Sequence, residues 1–260
     1  MTGHRLKILV LVGLLAGCAG ASAEIAGDVS YAGDPKQDYS LGKQALEDGR
    51  HLEALKYFEH VRSKYPYSTQ AALADLAIGD THFDREKYAE AVDAYRNFIK
   101  LHPSHELTDY AQFRIGLSHF KDMPSDFILF PPPTQKDQAP VRRALGSLEE
   151  FLRIYPKSQY AKEAQEKVDE LRRRMARHEL YVAEFYLKRK HHRAVVNRLE
   201  YLLEQYPGLG FEGEALLQIA RSYAAIDEKD KAKAALERLL KEFPKDPNRV
   251  EAETLLKSLG

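Results

Sequence analysis

A register that recurs every 37 residues constrains this chain more than any other feature. Three stretches align without gaps: LGKQALEDGRHLEALKYFEHVRSKYP (41–66), IGDTHFDREKYAEAVDAYRNFIKLHP (78–103) and IARSYAAIDEKDKAKAALERLLKEFP (219–244). Each carries a small residue, an alanine twelve positions on, a large apolar residue four after that, and a proline eight further. The sets are Gly42, Ala54, Phe58, Pro66; Gly79, Ala91, Tyr95, Pro103; and Ala220, Ala232, Leu236, Pro244. The same register recovers Gly116, Ala144, Leu148 and Pro156 once 16 extra residues are allowed, and then Ala183, Val195, Leu199 and Pro207. Five copies of one unit follow.

The spacing has a mechanical meaning. Tyr88, Ala91, Val92, Tyr95, Phe98 and Ile99 fall on one stripe of a helix. A glycine or alanine in the first helix of each unit lets the second approach closely. The proline closes the second helix, and Ser68, Ser104 and Ser158 are placed to cap the next one. Asp34-Pro35 reads as the cap and first residue of the opening helix. The pattern resembles the tetratricopeptide signature, somewhat longer than its usual period of about 34 residues. The expected fold is all-α, a superhelix of about five helical hairpins with an extended inner face, built to bind rather than to catalyse.

Two stretches depart from the register. Residues 160–187 keep an unbroken helical pattern, expected to join an N-terminal to a C-terminal half. Asp126-Phe127-Ile128-Leu129-Phe130-Pro131-Pro132-Pro133 cannot be helical because of its prolines. Its large apolar residues either pack back onto the array or meet a partner; packing is the expectation.

The N-terminus sets the compartment. Arg5 and Lys7 precede an apolar run, Ile8 to Gly17, too short for the roughly 20 residues of a membrane span. Its length suits a signal peptide. Leu15-Ala16-Gly17-Cys18 resembles a bacterial lipobox, and Cys18 is the only cysteine. Cleavage would leave Cys18 as an N-acylated residue carrying an S-diacylglycerol, with no thiol left for a disulfide. Ala19, in place of an aspartate, leads to the outer membrane, periplasmic face. The expected organisation is 1–17 signal peptide, 18–34 lipidated flexible tether, 35–159 N-terminal repeats with a loop insertion near 124–140, and 160–260 connecting helix and C-terminal repeats. Removing residues 1–17 leaves 37 Lys+Arg against 39 Asp+Glu, which gives no case for nucleic acid.

Catalytic signatures are missing: there is no H-E-x-x-H, CxxC, P-loop or G-x-S-x-G. No cofactor beyond the lipid on Cys18 is expected, and no enzyme activity. His178, His191 and His192 are close in sequence, but adjacent histidines diverge on a helix, so solvent exposure is preferred over a metal site. Residues 141–200 carry 15 Lys+Arg against 9 Asp+Glu. That basic span is either a solvated face or a docking surface for an acidic partner or lipid headgroups.

The first helices of the repeats should line the groove. One row at 37-residue steps is Tyr39, Leu76, Phe113; another is Leu46, Phe83, Phe120; a third mixes Lys43, Asp80 and Leu117. Aromatic rows with few charges suit an extended or aromatic-ended peptide, although any one of these side chains could instead fill a seam between helices. The stretch HELYVAEFYLKRKHHRAVVNRLEYLLEQYP (178–207), with Val182-Ala183-Glu184-Phe185-Tyr186 and Ala194-Val195-Val196-Asn197-Arg198, is the most distinctive in the chain. With the lipobox and five repeats it resembles the BamD family, lipoproteins of the β-barrel assembly machinery. The resemblance implies binding to the POTRA domains of BamA through the C-terminal repeats, here Asn197 and Arg198. It also implies that the N-terminal repeats, here Tyr39, Leu46, Leu76, Phe83, Phe113 and Phe120, receive the targeting signals of unfolded outer-membrane proteins. Other assembly-complex lipoproteins are further expected partners. The competing readings are a periplasmic scaffold for cell-wall or cell-division proteins and an enzyme whose residues converge only in space.

Overall fold

The computed structural model of the chain describes residues 29–124 and 133–260. The lipobox with Cys18, and Asp126 to Pro132 of the proline-rich stretch, lie outside them. Among the described residues there are helices and no strands. Five hairpins follow in order: α1 (Pro35–Glu47) with α2 (His51–Lys64), α3 (Thr69–Asp84) with α4 (Tyr88–Leu101), α5 (Thr108–Lys121) with α6 (Ala139–Ile154), α7 (Ala161–Lys188) with α8 (His192–Gln205), and α9 (Glu212–Ala225) with α10 (Lys229–Glu242). A last helix, α11 (Arg249–Ser258), closes the stack, and a 3₁₀ turn (Pro133–Gln135) precedes α6. The tetratricopeptide expectation stands, with α7 as the long connecting helix.

The repeat signature is a packing device. A Cβ added to Gly42 would come 2.6 Å from Cε1 of Phe58, one added to Gly79 2.6 Å from Cε1 of Tyr95, and one added to Gly116 2.6 Å from Cδ2 of Leu148. Phe58, Tyr95 and Leu148 have no exposed surface. In the first three hairpins the large residue of the second helix therefore lies against bare backbone of the first, and the glycine is required there.

Four of the hairpin turns are left-handed caps. Gly49, Glu86, Lys190 and Asp227 occupy one register position, and all have φ between 59° and 75°. The amides after each turn bond back to the first helix: Arg50 N to Ala45 O, Lys87 N to His82 O, His191 N to Tyr186 O, and Glu228 N to Tyr223 O. The third hairpin replaces this turn with its insertion.

Capping is less regular than the sequence suggests. Asp34 caps α1, accepting from Gln37 N, and Ser68 caps α3, accepting from Ala71 N. Ser104 and Ser158 do not fill that role: α5 starts one turn later, after Leu107, and α7 after Tyr160, neither with a side-chain cap. The tether also ends earlier than expected. Tyr31 stacks on His60 at 3.8 Å, Tyr57 donates to Ser30 O, and Ala32 N donates to the buried Asp38. Residues from Ser30 to Ala32 are thus docked on the first hairpin.

The core follows the stacking. Repeat one packs around Phe58 and Ile78, and repeat two around Tyr95, Phe98 and Ile115. From Phe113 onward a single cluster continues through Leu148, Leu171, Leu199 and Leu236 to Ala252. Repeat three shares its core with α7, so the apolar interior crosses the boundary expected at 159/160. Burying a large apolar side chain contributes about 1.5–3 kcal/mol, and stacking is what provides this burial.

Candidate functional site

Two pairs of first helices approach each other across repeats, α1 with α3 and α5 with α7, and among the described residues no pair of second helices comes as close. The array therefore curves toward its first helices, and their free surfaces form the inner wall. This decides which of the sequence-predicted residues a ligand can reach.

The row Tyr39, Leu76, Phe113 is largely a seam. Leu76 is 5% exposed, and Phe113, stacked on Tyr160 at 5.1 Å, is 3% exposed. Neither offers surface to a peptide, which corrects their assignment. Each first helix packs on its own partner and on the preceding hairpin, so much of its circumference is interior. Tyr39 is half-buried against Phe58, 5.6 Å between rings. Its phenol is pushed up by burial and then by Asp80.

The second row remains at the wall. Leu46, Phe83 and Phe120 are all half-buried. Each aromatic of the row carries a cation from the next first helix. The Arg114 guanidinium lies 3.7 Å from the centroid of Phe83, and the Lys167 ammonium 4.7 Å from that of Phe120. Once the insertion of 16 is discounted, both pairs have the same spacing. Such stacking is worth about 0.5–1 kcal/mol at exposed sites and more when desolvated.

Arg114 is held by a network. Asp80 Oδ1 accepts from the hydroxyls of Tyr95 and Tyr110, each at 2.7 Å, and Arg114 Nη2 lies 3.5 Å away. Arg114 Nε donates to Tyr95 Oη at 2.9 Å. Burial pushes the Asp80 carboxyl up, and the Arg114 charge and the two hydroxyl donors oppose it. Burial, and then Asp80, drives both phenols far above their ordinary range. The network fixes Arg114 over Phe83 and so shapes this part of the wall. Of its members the sequence reading names Tyr95, as a repeat position, and Asp80, in the mixed row, but neither Tyr110 nor Arg114.

Asn197 and Arg198 occupy an exposed face of α8. Arg198 is also structural: its Nη1 lies 3.3 Å from Oε2 of Glu179, which is 4% exposed. Glu179 belongs to a register absent from the sequence reading. The residue four before each small residue is Asp38, Asp75, Gln112, Glu179 and Leu216. The three acids are buried. Each faces cationic or histidine partners: His60 for Asp38, His102 and Arg62 for Asp75, and Arg198 for Glu179.

A second wall feature was not anticipated. Between α7, α9 and α11 lies a groove of about 650 Å³, lined by Leu180, Tyr181, Leu187 and Leu217, with Arg177 and Arg221 among its polar residues. Its mouth includes Thr134, whose carbonyl oxygen lies 2.7 Å from His178 Nδ1. His178 is thus engaged with the 3₁₀ turn rather than facing solvent. Among the described residues no group of three His, Cys, Asp or Glu side chains could hold a metal. No described helix is long and apolar enough to cross a membrane.

The family model described as "YfiO: Outer membrane lipoprotein" matches residues 31–239. The outer membrane protein assembly factor BamD of Caulobacter vibrioides is 29% identical, covering 95% of this chain and 78% of that protein. The BamD of Vibrio cholerae serotype O1 is 31% identical over 80% of this chain and 85% of its own. That of Neisseria meningitidis serogroup B is 28% identical over 93% and 92%. Among solved structures, the TPR2AB domain of yeast Sti1 aligns with 86% of this chain and 82% of its own at 11% identity and a TM-score of 0.46.

Proposed function

The chain belongs to the YfiO outer membrane lipoprotein family, that of the outer membrane protein assembly factor BamD, and from this membership we propose that it serves β-barrel assembly by binding two partners with two surfaces. The inner wall of the N-terminal repeats, at Leu46, Phe83 and Phe120 with Tyr39 at its margin, takes the targeting signals of unfolded outer-membrane proteins. The outer face of α8, at Asn197 and Arg198, docks on the periplasmic POTRA domains of BamA. Diacylglycerol and an acyl chain on Cys18 hold the protein at the periplasmic face of the outer membrane. More than one acyl chain makes such an anchor stable.

The observation that carries this reading is the half-buried aromatic row. Phe83 and Phe120 sit in equivalent positions of consecutive repeats, each held by a cation, on the curved side of the array. Rings spaced by one hairpin suit an extended chain carrying apolar side chains.

Co-purification from detergent-solubilised outer membrane tests the proposal. BamA recovered with the lipoprotein supports it. Recovery of cell-division or cell-wall proteins without BamA would replace it with the scaffold reading.

A further inference from the structure

Of the large apolar side chains exposed among the described residues, four of seven gather on one edge of repeats one to three, whereas Phe185 and Tyr201 lie elsewhere and Val250 belongs to the last helix. Tyr31, Tyr67, Leu101 and Ile154 are each more than 40% exposed, and Tyr67 is fully so. All four lie on one edge, where first helices start and second helices end. Tyr31 precedes α1, Tyr67 joins α2 to α3, and Leu101 and Ile154 are the final residues of α4 and α6. Leu101 and Ile154 occupy the same repeat position.

Cations accompany them. The last turns of α2, α4 and α6 hold Arg62 and Lys64, Lys100, and Arg153, and Lys157 follows in the next loop. The opposite edge, formed by the hairpin turns, also carries cations, among them Arg50, Lys87, Arg189 and Lys190, but no comparable group of exposed apolar side chains. Its exposed large apolar residue is Phe185, and that ring is covered by Arg189 at 3.5 Å.

The chain enters on the apolar edge. Tyr31 is stacked on His60, so the path to the first hairpin is fixed there. Between Cys18 and the first described residue, Val29, the sequence has room for ten residues, which extend at most about 36 Å. An anchor at Cys18 thus tethers this edge on a short leash.

We propose that this edge of repeats one to three rests on the bilayer surface, with its tyrosines and aliphatic side chains in the headgroup layer. The inference rests on the lipid anchoring proposed above. Tyrosine is favoured at that depth because its ring is apolar and its hydroxyl is wet. Lysine and arginine reach up to anionic phosphates while their stems cover apolar surface. The arrangement turns the inner wall sideways to the membrane and leaves both hairpin turns and α8 free for protein partners.

Depth-dependent quenching on the full mature lipoprotein tests this. Tyr67→Cys, Leu101→Cys, Ile154→Cys and, as the opposite-edge control, Phe185→Cys each receive a fluorophore. All four sites are exposed, so labelling spares the core. The proteins are reconstituted in phosphatidylethanolamine–phosphatidylglycerol vesicles containing a headgroup-nitroxide lipid. The expected result is flotation with the vesicles and several-fold stronger quenching at the three edge sites than at residue 185. Flotation with equal quenching, or with stronger quenching at residue 185, overturns the orientation while leaving the anchor in place. Failure to float overturns the anchor and this inference with it. Loss of edge quenching only when BamA is added would assign the edge to a protein partner and overturn the proposal for the assembled complex.

Discussion

The Arg198 guanidinium lies 3.3 Å from the Glu179 carboxylate, which is buried beneath it. One residue therefore serves both the fold and the surface assigned to BamA. Charge reversal at Arg198 leaves Glu179 facing a second carboxylate. The expected cost is about 1–3 kcal/mol, below the roughly 3–5 of a fully buried pair because Arg198 is itself half exposed to solvent. Urea unfolding of Arg198→Glu measures it. Adding Glu179→Gln should restore most of the lost stability. Binding of the double variant to BamA then reads the interface alone: retained binding would remove Arg198 from it, and lost binding would keep it there.

Glycine at the first-helix position is required by contact in the first three hairpins. Gly42→Ala and Gly79→Ala press a methyl group onto Phe58 and Tyr95. Overpacking of this kind costs about 1–3 kcal/mol. Gly146 is also helical, but a Cβ there meets nothing within 4 Å. Gly146→Ala should gain up to about 1 kcal/mol from helix propensity. Thermal melts of the three variants should therefore separate in opposite directions, and a Gly42→Ala protein as stable as the parent would disprove the packing account.

Acid should weaken the N-terminal repeats through two histidines. His82 and His119 are 37 residues apart, in the last turns of α3 and α5. Burial lowers both, with Arg85 adding to the effect at His82, and Arg96 and Arg143 at His119. A helix C-terminus favours the charged ring, so burial outweighs the dipole here. Above the ordinary value of 6.5 both rings are neutral in the folded and unfolded chain. Below it the unfolded chain takes up protons first, so stability falls as pH drops. Asp80 has the opposite sign: its raised carboxyl contributes stability at low pH that is lost as pH rises through its folded value. Unfolding followed from pH ~7.5 to ~5.5 should show a decline that His82→Gln with His119→Gln flattens.

Much of this architecture is legible from residue types alone. Gly42 with Phe58 and Gly79 with Tyr95 are contacts as well as alignments, so the register predicts the hairpins directly. Exposure is harder to read. A step of 37 residues identifies equivalent positions, but it cannot tell a seam from a wall. Leu76 and Phe113 are interior while Phe83 and Phe120 remain at the surface, because the two rows lie at different angles around the first helix. Glu179 was hidden for another reason: its partner, Arg198, is on a different helix. The docked Tyr31 likewise depends on His60, which no local pattern connects to it.

The central claim is that the inner wall at Phe83 and Phe120 receives barrel-protein signals, and site-specific photocrosslinking tests it most directly. A photoreactive residue replaces Leu46, Phe120 or, as an outer-face control, Tyr201, and each protein is offered a C-terminal barrel peptide ending in an aromatic residue. The account predicts crosslinks at residues 46 and 120, little at 201, and loss of the wall crosslinks when Phe83→Ala is added. Equal crosslinking at all three positions, or wall crosslinks indifferent to Phe83→Ala in a protein that still folds, would contradict it.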